Sequence, residues 1–184
     1  LFFFFSFILG IVANSLCFFV KVDVPDTIAG FPVAPESVGL WCFEAVNGNS
    51  YDLRDYEFDS KYTAARAFGV TANVIGFVIW LLFLFGSCIR MPSPAFLAVG
   101  ALCLLNCLFQ GLVFLIFQSD SICGGGCELD TGGKCAISAA VLWFFAGVTS
   151  CKTAKEEDAA ATMGEGQAAA AAAPSPDAAD EEEK

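Results

Sequence analysis

The sequence predicts an all-α membrane four-helix bundle that carries a small extracellular antiparallel β-sheet and ends in a disordered acidic tail. Three observations lead there. The 184-residue chain is 57% hydrophobic with mean hydropathy +0.66, whereas soluble domains are roughly 45–50% apolar. Its apolar residues gather into four stretches, each near the ~20 residues that a helix needs to cross a bilayer. Between the first two lies a polar segment, residues 21–65, far longer than the ~12–15 residues of an ordinary connection.

Composition excludes several functions. There are 9 Lys+Arg against 20 Asp+Glu, a net charge of −11, and no histidine. Phosphate binding needs a basic surface, so nucleic acid is not an expected partner. Without histidine there is no His general base, His-ligated haem or His-containing zinc site.

The first stretch, about 2–20, exceeds the 7–15 apolar residues of a signal peptide and lacks a clear small-residue cleavage site, so a retained helix is expected. The chain opens Leu1-Phe2-Phe3 without Met, as a fragment or processed form would. Asn14 and Ser15 interrupt this stretch and should face other helices, because polar groups in lipid need partners. In the 21–65 loop, Val20-Lys21-Val22-Asp23-Val24 alternates with period two, and residues 38–46 favour strand. Asn47-Gly48 then follows, the pair that most strongly marks a hairpin. Asp55, Glu57 and Asp59 alternate with Tyr56 and Phe58, so an extended chain would set the three acids on one face.

The second stretch, about 68–86, carries Ala72 and Gly76 four apart, small enough to admit a close helix neighbour. Pro92 and Pro94 turn the chain into the third, about 95–117, where Asn106 and Gln110 share a helix face. A second polar loop, 118–135, leads to the fourth, about 136–151. From Lys152 the composition becomes Ala-rich and acidic without aromatics, which cannot bury enough surface to fold alone. Two units follow: a transmembrane domain, 1–151, and a tail, 152–184. Four spans place both termini on one side, with the acid-free 87–94 link bearing Arg90, and with Lys152 and Lys155. Short-loop positive charge marks the cytosol, so both termini are expected there and both large loops outside. The plasma membrane is the expected location, with an organelle membrane as the alternative.

Of the nine cysteines, Cys42, Cys123, Cys127 and Cys135 fall on the outer side. In an oxidising space they suggest two disulfides, against the simpler reading that some stay free. Cys123 with Cys127 and Cys42 with Cys135 is one arrangement; Cys42 with Cys123 or Cys127 is another. A zinc site from the four is the weaker alternative. Cys17, Cys103 and Cys107 lie within apolar stretches and read as small apolar filler. Cys88 and Cys151, at cytosolic helix ends, are palmitoylation candidates.

Gly39-Leu40-Trp41-Cys42 in the first loop, and Ala64-Ala65-Arg66-Ala67 leading into the second stretch, together resemble the claudin superfamily. That superfamily includes the peripheral myelin protein and calcium-channel gamma-subunit branches. Claudins carry a G-L-W-x-x-C motif, a second first-loop cysteine, and Q-A-A-R-A opening the second helix. Here Thr63 stands for the Gln, Cys42 directly follows Trp41, and no cysteine lies between 43 and 87. The last residues, Glu181-Glu182-Glu183-Lys184, do not offer the hydrophobic end that a PDZ domain binds.

The resemblance covers about residues 1–151. It implies a structural protein of membrane and cell contacts, in which first-loop charges set ion selectivity. Asp55, Glu57 and Asp59 then become a candidate cation-favouring strip, against the simpler reading of a solvated strand face. Trp41 is expected to wedge between sheet and bilayer. Arg66 is expected to pair with a first-loop acid or to anchor the helix at the interface. The partners are the bilayer and either further copies of the chain or another membrane protein, the latter as an auxiliary subunit. No cofactor or metal is expected. Enzymatic activity is not expected either, since no apolar core carries a charged residue and no C-x-x-C is present.

Overall fold

A computed structural model of the chain describes residues 2–22, 35–54, 58–86, 92–123 and 126–171. Five helices and five strands follow in the order α1 (Phe2–Ser15), β1 (Val20–Val22), β2 (Pro35–Val38), β3 (Cys42–Ala45), β4 (Ser50–Asp52), α2 (Ser60–Gly86), α3 (Ser93–Leu112), α4 (Asp120–Cys123), β5 (Cys127–Leu129) and α5 (Thr131–Ala171). A 3₁₀ stretch, Val113–Gln118, prolongs α3.

Three helical segments are long and apolar enough to cross a bilayer, Ser60–Gly86, Ser93–Gln118 and Thr131–Glu156, which marks a membrane protein. Their outward faces carry Val74, Phe77 and Phe85 on α2, Leu97 and Leu108 on α3, and Phe144 and Phe145 on α5, all exposed. Water disfavours such a belt and lipid suits it. Facing inward are small or polar residues: Ala72 and Gly76 on α2, Cys103, Asn106 and Gln110 on α3, Ala139 and Ala146 on α5. Helix packing in lipid depends on such close approach.

The first apolar stretch departs from its expected extent. α1 ends at Ser15, because the next residues leave the helix to reach a disulfide at Cys17 and a strand at Val20. Its 14 residues rise about 21 Å, short of the ~30 Å hydrocarbon core. Asn14 is buried as expected, but Ser15 is exposed. α2 starts eight residues before the apolar stretch does, since Asp59 caps it. Its Oδ1 accepts from the Tyr62 N–H at 3.1 Å, and its carbonyl accepts from Thr63.

α5 differs at both ends. Asp130 takes the Thr131 N–H at its start. Beyond Lys152, where the disordered tail was expected, the helix continues to Ala171. Alanine, lysine and glutamate all favour helix, and no proline intervenes before Pro174. The first turns past Lys152 are also tied down: Ala154 is buried, and its carbonyl accepts from Ser93 Oγ at 3.0 Å. α3 begins with Pro92 at its N-cap and Pro94 in its first turn, where a missing N–H costs no helical bond.

The sheet is fully antiparallel in the order β4-β3-β2-β1-β5. Val20 pairs with Val38 on one side and with Leu129 on the other. β5 belongs to the second loop, so one sheet joins both loops. The Asn47-Gly48 hairpin connects β3 to β4 as expected. Gly48 sits at φ +78°, a conformation that glycine adopts without Cβ strain. Its N–H donates to the Ala45 carbonyl, and Ala45 N–H to that of Asn49. The result is a three-residue turn closing on a glycine bulge. A buried core of Phe19, Val20, Val38, Leu40, Phe43, Leu53, Tyr62 and Ile116 lies where sheet meets bundle, and a second, around Trp143 and Ile79, lies within the bundle.

Candidate functional site

The two motif segments meet. Gly39-Leu40-Trp41-Cys42 forms the turn of the β2–β3 hairpin, closed by the Gly39 N–H on the Cys42 carbonyl at 2.8 Å. Carbonyls at such a turn lie beyond the strand ladder, and buried ones must find other donors. α2 supplies them. Tyr62 Oη donates to the Gly39 carbonyl at 2.7 Å and the Leu40 carbonyl at 3.2 Å. Arg66 donates its Nε–H to the Leu40 carbonyl and an Nη2–H to the Leu53 carbonyl at 3.0 Å. The Leu53 N–H in turn donates to the Trp41 carbonyl at 2.8 Å.

Around the Arg66 guanidinium stand three rings: Trp41, Phe58 and Tyr62, at 5.1, 5.2 and 4.7 Å from its central carbon. Aromatic faces attract cations at this range. Among the described residues, Arg66 meets two main-chain carbonyls and a ring cage; Asp55 and Glu57, the first-loop acids nearest it in sequence, lie outside them. Trp41 forms one wall of that cage. Ala64 and Ala67 flank this face, and Ala65 is buried beneath the hairpin.

Gly39 has a steric reason. A Cβ there would fall on the Leu16 carbonyl oxygen and 2.8 Å from Cys17 Cα. The two chain segments therefore cross in contact, and Cys17 and Cys42 are disulfide-bonded with Cα atoms 4.9 Å apart. This corrects the cysteine assignment. Cys17, read from sequence as apolar filler, is the partner of Cys42, and Cys135 is a free, half-buried thiol. The second disulfide joins Cys123 to Cys127. Cys17 escaped notice because it lies in the apolar stretch that sequence continues to Val20; only the end of α1 at Ser15 brings it out of the helix.

The acids divide. Asp55 and Glu57, like Cys88, lie outside the described residues. Asp59 is held in place: besides capping α2, it accepts from Ser119 Oγ at 2.8 Å and from the Asp120 N–H at 3.1 Å. Asp130 has the matching role at α5, accepting from Ser37 Oγ at 2.8 Å. Each acid thus ties a helix start to the other loop. The exposed ion pair Lys61–Asp120, at 3.1 Å, adds little beside them. Cys151 points its sulfur into the α3–α5 contact, 2.6 Å from where a Cβ on Gly100 would stand.

Beside the Cys17–Cys42 bridge is an open groove of about 310 Å³, lined also by Trp41, Tyr51, Asp52 and Arg54. Tyr51 and Asp52 belong to β4, an edge strand of the sheet. Deeper in the bundle, polar residues collect. With its amide oriented to satisfy both ends, Asn106 donates to the Ala72 carbonyl at 2.8 Å and accepts from Trp143 Nε1 at 3.1 Å. Asn14 Nδ2 donates to the Gly69 carbonyl and to Asn73 Oδ1, at 3.2 and 3.1 Å. The sequence singled out Asn14, Asn106 and Gln110 but missed Asn73 and Trp143. These two stand on their helices among apolar residues and show no spacing signal.

Among the described residues, no group of three or more Cys, Asp or Glu side chains is placed to hold a metal ion. No family model matches the chain, and no curated protein is significantly similar to it.

Proposed function

We propose that the protein is a claudin-like structural protein that crosses the membrane four times, with both termini cytosolic and the sheet outside. In this reading α1 is the fourth span, and the plasma membrane is the expected location. The protein assembles laterally and between facing membranes, and its sheet is the assembling surface. One observation carries the reading. The Gly39-Leu40-Trp41-Cys42 turn is clamped onto α2 by Tyr62 and Arg66, so the sheet is a rigid platform on the bundle. A preorganised surface loses less freedom on contact, which favours a repeated contact geometry. The clamp also uses both segments on which the resemblance rests. Any cation-favouring strip is formed by Asp55, Glu57 and Asp59, the last held in place as a cap with its charge intact.

The test is freeze-fracture imaging of strand-free cells expressing the chain with an added start Met. Continuous strands at cell contacts are expected. Dispersed particles, despite correct surface delivery, would overturn autonomous assembly; stoichiometric co-purification with a larger complex would then establish an auxiliary subunit. Across a strand-bearing layer, neutralising Asp55 and Glu57 is expected to lower cation preference in dilution-potential measurements.

A further inference from the structure

Two free thiols lie on facing surfaces of α3 and α5. The helices run antiparallel: Ser93 bonds to the Ala154 carbonyl near the start of α3, and Asn106 accepts from Trp143 farther along it. At Gly100 the two main chains touch. A Cβ there would stand 3.1 Å from the Gly147 carbonyl oxygen, 3.3 Å from Cys151 N and 2.6 Å from Cys151 Sγ. Cys103 stands one turn beyond Gly100 and is buried, whereas Cys151 is half-buried; neither is in a disulfide.

The two sulfurs lean together. Helical side chains tilt toward the N-terminus of their own helix. On antiparallel helices Cys103 therefore tilts back toward Gly100, and Cys151 tilts toward Gly147. Cβ positions three residues apart on a helix are about 5–6 Å apart, so the Cys151 sulfur lies within about 8 Å of the Cys103 Cβ. The two thiols also interact electrostatically. Glycine at 100 leaves the space that the Cys151 sulfur occupies. A disulfide needs Cβ atoms about 3.5–4.5 Å apart. Rotation of two short side chains and a slight slide of α5 along the glycine contact supply the remainder.

We propose that Cys103 and Cys151 form a peroxide-reactive thiol pair, in which half-buried Cys151 meets the oxidant and buried Cys103 resolves it. The oxidant is a hydroperoxide. Cys151 Sγ attacks the terminal peroxide oxygen, and the O–O bond breaks. The thiol proton passes through water to the departing oxygen, which leaves as an alcohol, or as water from hydrogen peroxide. Cys151 is then a sulfenic acid. Cys103 Sγ attacks that sulfur; the S–O bond breaks, the S–S bond forms, and hydroxide leaves with the Cys103 proton as water. Two electrons pass from the thiols to the peroxide. The bond staples α3 to α5 one turn before Ala154, where α5 runs on past the start of α3. A cytosolic setting, which rests on the orientation proposed above, holds the pair reduced until such an oxidant arrives; the reaction itself does not depend on that orientation.

The experiment is peptide mapping of the full chain in lipid bilayers, before and after hydrogen peroxide, with free thiols blocked under denaturing conditions. A cross-linked peptide pair joining Cys103 to Cys151 is expected, with loss of blocking at both residues together, while Cys107 and Cys135 stay blocked. In Cys103→Ser the sulfenic acid lacks its resolving partner, so a dimedone adduct is expected at Cys151 where the wild type shows little. In Cys151→Ser, Cys103 is expected to remain fully blocked after peroxide. Where either variant fails to insert, the wild-type map decides by itself. Cys103 still blocked while Cys151 is carried on to sulfinic acid overturns the proposal. So does a bond from Cys151 to any other cysteine, or a wild type in which neither residue reacts.

Discussion

Replacing Arg66 by methionine removes two charge-assisted hydrogen bonds and three ring contacts at once. Each such hydrogen bond is worth about 1.5–3 kcal/mol, and each cation–ring contact about 0.5–1 kcal/mol at a partly exposed site. Two offsets apply. Methionine keeps much of the apolar stem against the rings. Arg66 is also only half-buried, so water can reach part of the space and solvate the Leu40 and Leu53 carbonyls. The net loss is expected to be about 2–4 kcal/mol. Arg66→Lys separates charge from geometry. A lysine keeps the cation but cannot span two carbonyls with a planar fork, so it should lose about half as much. The assay is thermal unfolding of protein reconstituted in bilayers, read by near-ultraviolet circular dichroism of the Trp41 and Tyr62 environment. Hydrogen exchange at the Leu53 N–H supplies a local readout, because that amide closes the clamp. A lysine variant as stable as wild type, beside a weakened methionine variant, would refute the clamp and leave Arg66 a simple charged anchor.

Other substitutions have defined outcomes. Tyr62→Phe leaves the Gly39 carbonyl without its 2.7 Å donor and should cost about 1–3 kcal/mol in the same unfolding assay. Gly39→Ala drives a methyl into main chain, not into a movable side chain; failure to form the Cys17–Cys42 bond, read by thiol labelling under denaturing conditions, is expected. Cys17→Ser opens a bridge spanning 25 residues and should cost about 3.5 kcal/mol by chain entropy. Cys123→Ser opens one spanning 4 and should cost about 2 kcal/mol on the same basis. Asp59→Ala should lose about 1–2 kcal/mol as a helix cap, while Asp59→Asn keeps most of that stability.

Much of the architecture was legible in one dimension. The apolar stretches located α2, α3 and α5 because a bilayer selects length and composition directly, without reference to neighbours. The Asn47-Gly48 turn was legible because its geometry depends on the residues within it. Helix ends were less so. α2 began at a cap whose acid also binds the second loop, and α1 stopped short because Cys17 is committed elsewhere. β5 escaped altogether, since three residues are too few to show a period and its pairing with β1 is supplied by the other loop.

The site divides along the same line. Sequence by itself singled out Gly39-Leu40-Trp41-Cys42 and Arg66, and it required the polar residues of the apolar stretches to find partners within the bundle. Tertiary structure alone decided what they do. It set the Arg66 guanidinium against two main-chain carbonyls, placed Asp59 at the start of α2 as a cap, and turned Cys17 from filler into a disulfide partner. The reason is physical. Hydrophobic burial and turn conformation depend on what a residue is and on its immediate neighbours. Hydrogen bonds and disulfides depend on two groups arriving at one point, and the bonds that tie Arg66 and Asp130 to the first loop span 13 to 93 residues of chain.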